Sequence, residues 1–199
     1  DADGNAWATG NNLVGQLCLG DDIDRMIPEK IPIEGKIVDV AIGGEHTLLL
    51  LEDGSVYGCG SNAKGQLGLG EEQTVSSPTK LGDLTSAVSS VSAGHSHSLL
   101  MATDGIYLSG SNEYGQLCVD TKGENVLTPT ALEIDERVAI SFEAIKESTF
   151  ILYDDGSVNA CGRNNFGQLG DGTDEDQLIA IAQTNGTVVR LLGVGPSAQ

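Results

Sequence analysis

Short apolar runs recur along the chain, and each is followed closely by an Asp-Gly pair. Residues 47–51 precede Asp53-Gly54, residues 98–101 precede Asp104-Gly105, and residues 150–153 precede Asp155-Gly156. An Asp-Gly pair between two apolar runs is typical of a β-hairpin turn. Runs that do not alternate with polar residues predict strands covered on both faces. The sequence therefore predicts one hairpin with a buried first strand in each of these segments, and Asp3-Gly4 supplies a fourth turn.

Partner strands can be placed around these hairpins. Residues 55–60 and 157–162 follow the turns and carry small residues, which suits a strand that its neighbours approach closely. A further strand fits residues 37–42, 87–92 and 188–192. Pro28, Pro78 and Pro129 are expected at strand entrances, where a missing amide donor is tolerated. Because no stretch keeps a helical period, the sequence predicts an all-β protein.

A six-residue signature of the form Asn-x-x-Gly-Gln-Leu occurs four times, at residues 12–17, 62–67, 112–117 and 164–169. Its glycines are spaced by 50, 50 and 52 residues, so one unit of about 50 residues is repeated. Antiparallel sheets that are apolar on both faces must stack, and at this repeat length a β-propeller with one sheet per blade is expected. We expect a single repeat domain over 1–199, with units at roughly 1–52, 53–103, 104–154 and 155–199.

The residues between the turns distinguish two propeller families. Gly43-Gly44 suits the double glycine of kelch repeats, but those repeats expect a Tyr and a Trp in each unit, and this chain has one Trp. Gly44-Glu45-His46, the run to Asp53-Gly54 and the segment GSNAKGQLGLG at 60–70 instead resemble the regulator of chromosome condensation repeat. This resemblance covers nearly the whole chain.

The family resemblance implies a ring of about seven blades, which four units do not complete. The chain is therefore expected to be a partial propeller, a piece of a larger ring. We expect it to expose unpaired strand edges and to associate or aggregate when it is alone.

Some positions depart from the repeat. His46 has a counterpart in His97, but the third copy carries Ser148. Cys18 and Cys118 replace the glycines seen at Gly68 and Gly170, and Asp120 stands where Gly20 and Gly70 lie. The third unit is thus expected to form a diverged loop or contact surface.

The charge excludes some partner classes. With 29 acidic and 10 basic residues the formal net charge is −19, which repels phosphate backbones and anionic membranes. We therefore expect a protein partner, and neither nucleic acid nor a membrane.

Eleven acids lie four to nine residues after the signature glycines, and equivalent propeller loops share a face. They predict an acidic loop face that docks a basic protein surface; alternatively, they are simply polar loops of an acidic protein. These acids are Asp21, Asp22, Asp24, Glu71, Glu72, Asp120, Glu124, Asp171, Asp174, Glu175 and Asp176.

The four cysteines occupy two repeat positions, Cys18 with Cys118 and Cys59 with Cys161. Packing at repeated positions favours reduced structural thiols over disulfides or metal binding. Reduced thiols in turn favour an intracellular protein, in the cytoplasm rather than the nucleus.

No arrangement of residues in the sequence strongly indicates a catalytic site. His46 and His97 lie in register before buried strands and are expected to hydrogen-bond backbone groups beside glycine turns, while His95 falls in a loop. Cys59 paired with either in-register histidine lacks an orienting third group. The G-x-G-x-x-A match at 193–198 has no βαβ unit around it, and the glycine of residues 1–5 comes too early for a calcium loop. We expect no enzyme activity, cofactor, metal or small-molecule substrate.

The signature residues are expected to maintain the fold: glycine for its backbone freedom, asparagine and glutamine for turn hydrogen bonds, and leucine for packing. The expected structural set is Gly15, Gln16, Leu17, His46, Gly65, Gln66, Leu67, His97, Gly115, Gln116, Leu117, Gly167, Gln168 and Leu169. The resemblance leaves two functions open. One is a protein-interaction propeller that acts as a scaffold or recognition module; the other is a guanine-nucleotide exchange factor or regulator for a Ran-like small GTPase, the activity of the founding family member.

Overall fold

The computed structural model describes residues 1–82, 84 and 86–182, and these residues form fourteen β-strands and no helix. The strands form four antiparallel sheets, which we number in chain order. The first sheet is β1–β2, and the second, third and fourth are β3–β6, β7–β10 and β11–β14. The strands are β1 Trp7–Gly10, β2 Arg25–Lys30, β3 Ile37–Ile42, β4 His46–Leu51, β5 Val56–Gly60, β6 Val75–Lys80, β7 Val88–Ala93, β8 His97–Ala102, β9 Gly105–Gly110, β10 Val126–Ala131, β11 Ala139–Ile145, β12 Ser148–Tyr153, β13 Val158–Gly162 and β14 Gln177–Ala182.

Each four-stranded sheet is a meander in which consecutive strands pair, as the hairpin turns predicted. The all-β propeller architecture is confirmed, and the sheets form an arc that is not closed. No helix of the described part is long and apolar enough to cross a membrane. The expected strand at 188–192 lies outside the described residues.

The second strands of the second and third sheets, β4 and β8, are almost entirely buried on both faces, because each lies between two neighbouring sheets. In β4, Leu49 packs with Cys18 and Ile31 beside the first sheet. Its neighbours Leu48 and Leu50 point the other way, into the core shared with the third sheet. A third core joins the third and fourth sheets around Leu99, Phe142 and Ile151. These strands therefore lack polar alternation because both of their faces are buried.

The prolines lie inside strands, so the expectation that they mark strand entrances is wrong. Pro28, Pro78 and Pro129 fall within β2, β6 and β10, which are the last strands of their sheets. The pairing of β5 with β6 shifts register between Gly58 and Gly60, and the pairing of β9 with β10 shifts in the same way. A missing amide donor is tolerated there because an edge strand pairs on one side only.

The sheets are out of phase with the units expected from the sequence. The three complete sheets span 37–80, 88–131 and 139–182, so the Asp-Gly pairs lie inside the sheets and the linkers fall between them. Among the described residues, the first sheet holds the counterparts of the third and fourth strands alone, since β1 pairs with β2 as β5 pairs with β6. The division of the whole chain into units stays a prediction.

Candidate interaction face and the contacts that shape it

The sheets present two different ends. His46 pairs with Gly60, so the turn before β4 and the signature loop after β5 lie at one end, which we call the signature face. Leu50 pairs with Val56, which places the Asp53-Gly54 turn and the linkers between sheets at the opposite end, the hairpin face. Because the sheets share one topology, the signature loops of all four repeats emerge at the signature face.

Each signature loop is closed by its own side chains. The Oδ1 atom of the buried Asn62 accepts a hydrogen bond from the Leu67 amide at 2.8 Å, and its Nδ2 donates to the Glu71 carbonyl at 2.6 Å. The Oε1 atom of Gln66 accepts from the Lys64 amide at 2.9 Å. The same asparagine-to-leucine bond is made by Asn12, Asn112 and Asn164.

The signature loop also rests on the next sheet. Gly65 adopts a φ of +79°, and a Cβ there would lie 2.8 Å from the Leu127 Cα in β10. The Gly70 amide donates to the Leu127 carbonyl at 2.8 Å. Glycine is required at this position because the backbone is left-handed and the neighbouring strand leaves no room for a side chain.

Two linked hydrogen bonds, from a histidine to a hydroxyl and from that hydroxyl to a glutamine carbonyl, join successive sheets; we call this pair of bonds the relay. Ser98 Oγ donates to the Gln66 carbonyl at 2.6 Å and lies 2.9 Å from His46 Nε2. Because the hydroxyl proton goes to the carbonyl, His46 is the donor to the serine oxygen. His97, Thr149 and the Gln116 carbonyl repeat the arrangement at 3.0 and 2.6 Å.

The relay corrects the expected role of the histidines. Their partner is a hydroxyl side chain of the next sheet and not a backbone group. Burial lowers the pKa of His46 to about 4 and that of His97 to about 3, so both rings are neutral at physiological pH. No described residue bonds to either Nδ1 atom. Fully buried, neutral rings with this geometry hold sheets together and offer no general base to solvent.

The fourth sheet lacks a histidine at this position. Ser148 takes the place in the pairing with Gly162, and its hydroxyl donates to the Arg163 carbonyl at 2.9 Å. His95 lies exposed in the turn between β7 and β8, as expected, and its amide donates to the Lys146 carbonyl at 2.7 Å.

The cysteines form two disulfides, so the expectation of reduced thiols is wrong. Cys18 bonds to Cys59 and Cys118 bonds to Cys161, with Cα atoms 5.3 and 5.4 Å apart. Each bond joins a signature loop to the third strand of the next sheet. The argument for an intracellular protein rested on free thiols and loses that support. Cys59 is also no nucleophile, since its sulfur is bonded.

The sequence did contain a signal for these disulfides. The two pairs have nearly equal separations, 41 and 43 residues, and each pair occupies corresponding positions of adjacent repeats. The interface between the second and third sheets has no disulfide. There, Gly68 takes the position of Cys18 and Cys118, and Ser109 takes the position of Cys59 and Cys161, so both cysteines are replaced together. Paired replacement across one interface indicates contact between the positions.

Five of the eleven acids proposed for the loop face hold the loops themselves. Asp24 Oδ1 accepts from the Asn12 amide at 2.8 Å, and Asp176 Oδ1 accepts from the Asn164 amide at 2.7 Å. Asp120 Oδ1 accepts from the Lys122 amide at 3.1 Å. Hydrogen bonds from Arg25 lower the pKa of Asp21, and the Thr173 amide lowers that of Asp171.

The other six acids are exposed, and no described residue donates a hydrogen bond to their carboxylates. They comprise Asp22, Glu71, Glu72, Glu124, Asp174 and Glu175. The topology places all six on the signature face. Within the described part of the chain, no group of three or more His, Cys, Asp or Glu side chains is arranged to hold a metal ion.

The sequence matches the family model described as the Regulator of chromosome condensation (RCC1) repeat at residues 3–50 and 53–101, and a second RCC1 repeat model at residues 37–66. These matches cover the first half of the chain. The third and fourth sheets continue the same strand order, signature loops and relay. No curated protein matches the sequence.

The structure is similar to yeast RCC1 (Prp20) bound to Kap60, with a TM-score of 0.80 and 21% identity over 92% of this chain and 45% of that one. Prp20p from Saccharomyces cerevisiae, studied for binding Gsp1p and histones, gives a TM-score of 0.79 and 21% identity over 90% and 46%. Human WBSCR16 gives 0.61 and 24% over 90% and 62%.

The chain spans less than half the length of the yeast proteins. At these identities the likeness shows the fold. Together with the repeat matches, it establishes that this chain is an RCC1-like repeat protein.

Proposed function

We propose that this chain is a protein-interaction module that docks a basic protein surface on the acidic loops of the signature face, and that it acts by binding rather than by catalysis. The observation that carries the proposal is the division of the acids. Six exposed carboxylates have no described partner inside the molecule, although the five acids held in the first, third and fourth loops do. Loop structure therefore does not account for these six.

Charge supports a basic partner. Repeated acidic loops on one face of a chain with net charge −19 sum to a negative potential that attracts a cationic surface and repels an anionic one. Buried asparagines fix the backbone of the loops that carry these carboxylates, so little backbone entropy is lost on binding. Among similar proteins, Prp20p is described as binding histones, which are basic.

The test uses purified core histones as a defined basic probe. The first variant carries Glu71→Lys and Glu72→Lys, and the second carries Asp174→Lys and Glu175→Lys. Asp176 is kept because its carboxylate holds the Asn164 loop. Each double variant should slow association at low salt by about tenfold and weaken its salt dependence.

A matched control changes the charge equally on the hairpin face. Glu133 and Glu136 are exposed in the linker between β10 and β11, and their replacement by Lys also adds four charges. This control should associate nearly as fast as the original chain. If all three variants slow association equally, the effect depends on net charge alone, and the proposal that the signature face is the docking site is refuted.

A second candidate is regulation of a Ran-like small GTPase by guanine-nucleotide exchange. It is favoured by the structural similarity to Prp20p, which is described as binding Gsp1p. Release of a fluorescent GDP analogue from a Ran-type GTPase, with and without this chain, separates the two functions. Accelerated release supports exchange, while binding of basic protein without acceleration supports the interaction module.

A further inference from the structure

The interface between the third and fourth sheets departs from the repeat at one interior position. Tyr57 and Tyr107 occupy the same position of β5 and β9, since each pairs with the residue three places after the histidine that begins the preceding strand. Tyr57 packs against the core beside the first sheet, and Tyr107 packs against the core between the second and third sheets. In β13 the corresponding residue is Asn159, which pairs with Ile151. The fourth sheet therefore has a short amide where the other two sheets place an aromatic ring.

A cleft of about 420 Å³ is lined by Asn159 at this interface. Its floor also includes Leu132 and Tyr153, which are buried. Ile134 of the linker after β10 and Ile179 of β14 supply apolar walls. Small-molecule sites typically have volumes of about 300–1,000 Å³. The cleft is bounded by two complete sheets and the linker between them, and its size suits a small ligand.

One buried group in the cleft has a proton without an acceptor. Tyr153 stands where the second and third sheets carry Leu51 and Ala102, and it lines the cleft. Its hydroxyl accepts a hydrogen bond from Asn159 Nδ2 at 3.3 Å, and no described group accepts the hydroxyl proton. Burial raises the pKa of Tyr153, so this proton is kept at physiological pH. A buried donor of this kind favours a ligand that brings an acceptor.

The rim of the cleft carries more acid than base. Arg137 Cζ lies 3.9 Å from the centroid of the Tyr153 ring, and its Nε donates to both carboxylate oxygens of Asp135, at 2.8 and 3.0 Å. The charge of this arginine is therefore neutralised inside the molecule. Glu133 has no described partner, and Asp120 accepts only the amide of residue 122. These two carboxylates attract a cation and repel an anionic ligand.

We propose that this cleft binds a small cationic phenol, that is, a hydroxyphenyl ring joined by a short chain to an ammonium group. The ring takes the place that tyrosines fill in the other two sheets, between Leu132 and Ile179. Its hydroxyl accepts a hydrogen bond from Tyr153, and its ammonium group lies at the carboxylates of Asp120 and Glu133. The ligand is a small molecule, and the site does not use the six unpartnered acids of the signature face.

Other ligands fit the cleft less well. A simple alkylammonium ion would meet the carboxylates but would not fill the space of an aromatic ring or accept from the Tyr153 hydroxyl. A metal ion would need several clustered ligands, and no group of three or more His, Cys, Asp or Glu side chains in the described part has that arrangement. The combination of apolar walls, a phenol donor and free carboxylates selects an aromatic cation.

Calorimetric titration of the full chain at pH 7 and 0.15 M salt tests the proposal, with tyramine as the probe. Tyramine should bind saturably at one site per chain. 4-Methylphenol lacks the charge and 2-phenylethylamine lacks the hydroxyl, so each should bind about three- to tenfold more weakly, as expected for the loss of one polar contact. 4-Hydroxyphenylacetate, an anion, and n-butylamine, which has no ring, should show no saturable binding.

Three variants test the contacts. Glu133→Gln should weaken tyramine binding by about threefold and leave 4-methylphenol binding unchanged. Glu136→Gln is the matched control, because Glu136 is exposed in the same linker but does not line the cleft, and it should bind tyramine like the original chain. Asn159→Tyr places the ring of the other sheets in the cleft and should abolish binding of both compounds while far-ultraviolet circular dichroism stays unchanged.

Three outcomes overturn the proposal. The first is no saturable binding of tyramine by the folded chain, and the second is equal binding of tyramine and n-butylamine, which would leave only attraction of a cation. The third is equal loss of affinity in Glu133→Gln and Glu136→Gln. The double variant with Glu71→Lys and Glu72→Lys should bind tyramine normally, since its charges are screened from the cleft at this salt concentration. Failure here is therefore distinct from failure of the acidic face.

Discussion

His46 Nε2 donates a hydrogen bond to Ser98 Oγ at 2.9 Å, and this contact joins the second sheet to the third. The serine hydroxyl in turn donates a hydrogen bond to the Gln66 carbonyl in the signature loop of the second sheet. One histidine thereby connects a buried strand, the next sheet and a surface loop. Stability and loop position are coupled through neutral imidazoles at the sheet interfaces.

Stability should fall as the pH is lowered below neutrality. Burial lowers the pKa of His46 to about 4 and of His97 to about 3, below the value near 6.5 of the unfolded chain. Between these values the unfolded chain binds more protons, so the stabilisation is present above about pH 6.5 and is lost as the pH falls toward 4. Urea unfolding from pH 7 to 4.5 measures this loss.

Replacement of both His46 and His97 by glutamine should make the free energy of unfolding fall less steeply with decreasing pH. The glutamine amide can donate to the hydroxyl but does not titrate. His95→Gln is the comparison: His95 is exposed in a turn, but its charge also lowers the pKa of both buried rings, so this change should flatten the decline much less than the double variant does. If the double variant loses as much free energy of unfolding as the original chain when the pH is lowered, the loss is due to carboxylates and not to the buried histidines.

A third disulfide should form between positions 68 and 109. Gly68 has a φ of +61°, close to the 60° of Cys18. A Cβ there would lie 3.3 Å from Ser109 Oγ and 2.8 Å from Pro129 Cδ, so the proline ring has to shift. Gly68→Cys with Ser109→Cys should give no free thiol in a denatured thiol assay, and this strain should keep the gain in the free energy of unfolding below the about 2–4 kcal/mol typical of a disulfide. Gly68→Cys alone should show one free thiol, and two free thiols in the double variant would contradict the prediction.

Asn62→Ala should destabilise the chain strongly. The side chain is fully buried and satisfies both the Leu67 amide and the Glu71 carbonyl. Its removal leaves buried backbone groups without partners, which costs about 3 kcal/mol in chemical denaturation. Lys64→Ala in the same loop is the comparison and should change the free energy of unfolding by less than about 0.5 kcal/mol.

The acids of the fourth signature loop should separate into two classes. Asp176→Ala removes an acceptor from the Asn164 amide and should lower the melting temperature by roughly 2–4 °C. Asp174→Ala in the same loop has no described partner to lose and should leave the melting temperature unchanged. Calorimetry of the two variants decides this, and equal effects would show that the loop holds both carboxylates alike.

Local patterns carried most of the strand predictions. The runs at 47–51 and 98–101 are apolar because both faces of those strands are buried, and such runs can be recognised without coordinates. The last strands, β6 and β10, were anticipated only through Pro78 and Pro129 and without bounds, because their exposed, proline-containing sequences lack an apolar pattern. β11 was missed because the turn after it, at Lys146, departs from the glycine pair of the other repeats.

The sequence by itself determined the repeat, the hairpins and the family, because each depends on residues close together in the chain. Tertiary structure alone decided which acids are held by their loops and to which groups the histidines donate hydrogen bonds. Those contacts join residues from different sheets or different ends of a loop. Their partners are selected by how the sheets stack, and the pattern within one repeat does not specify that stacking.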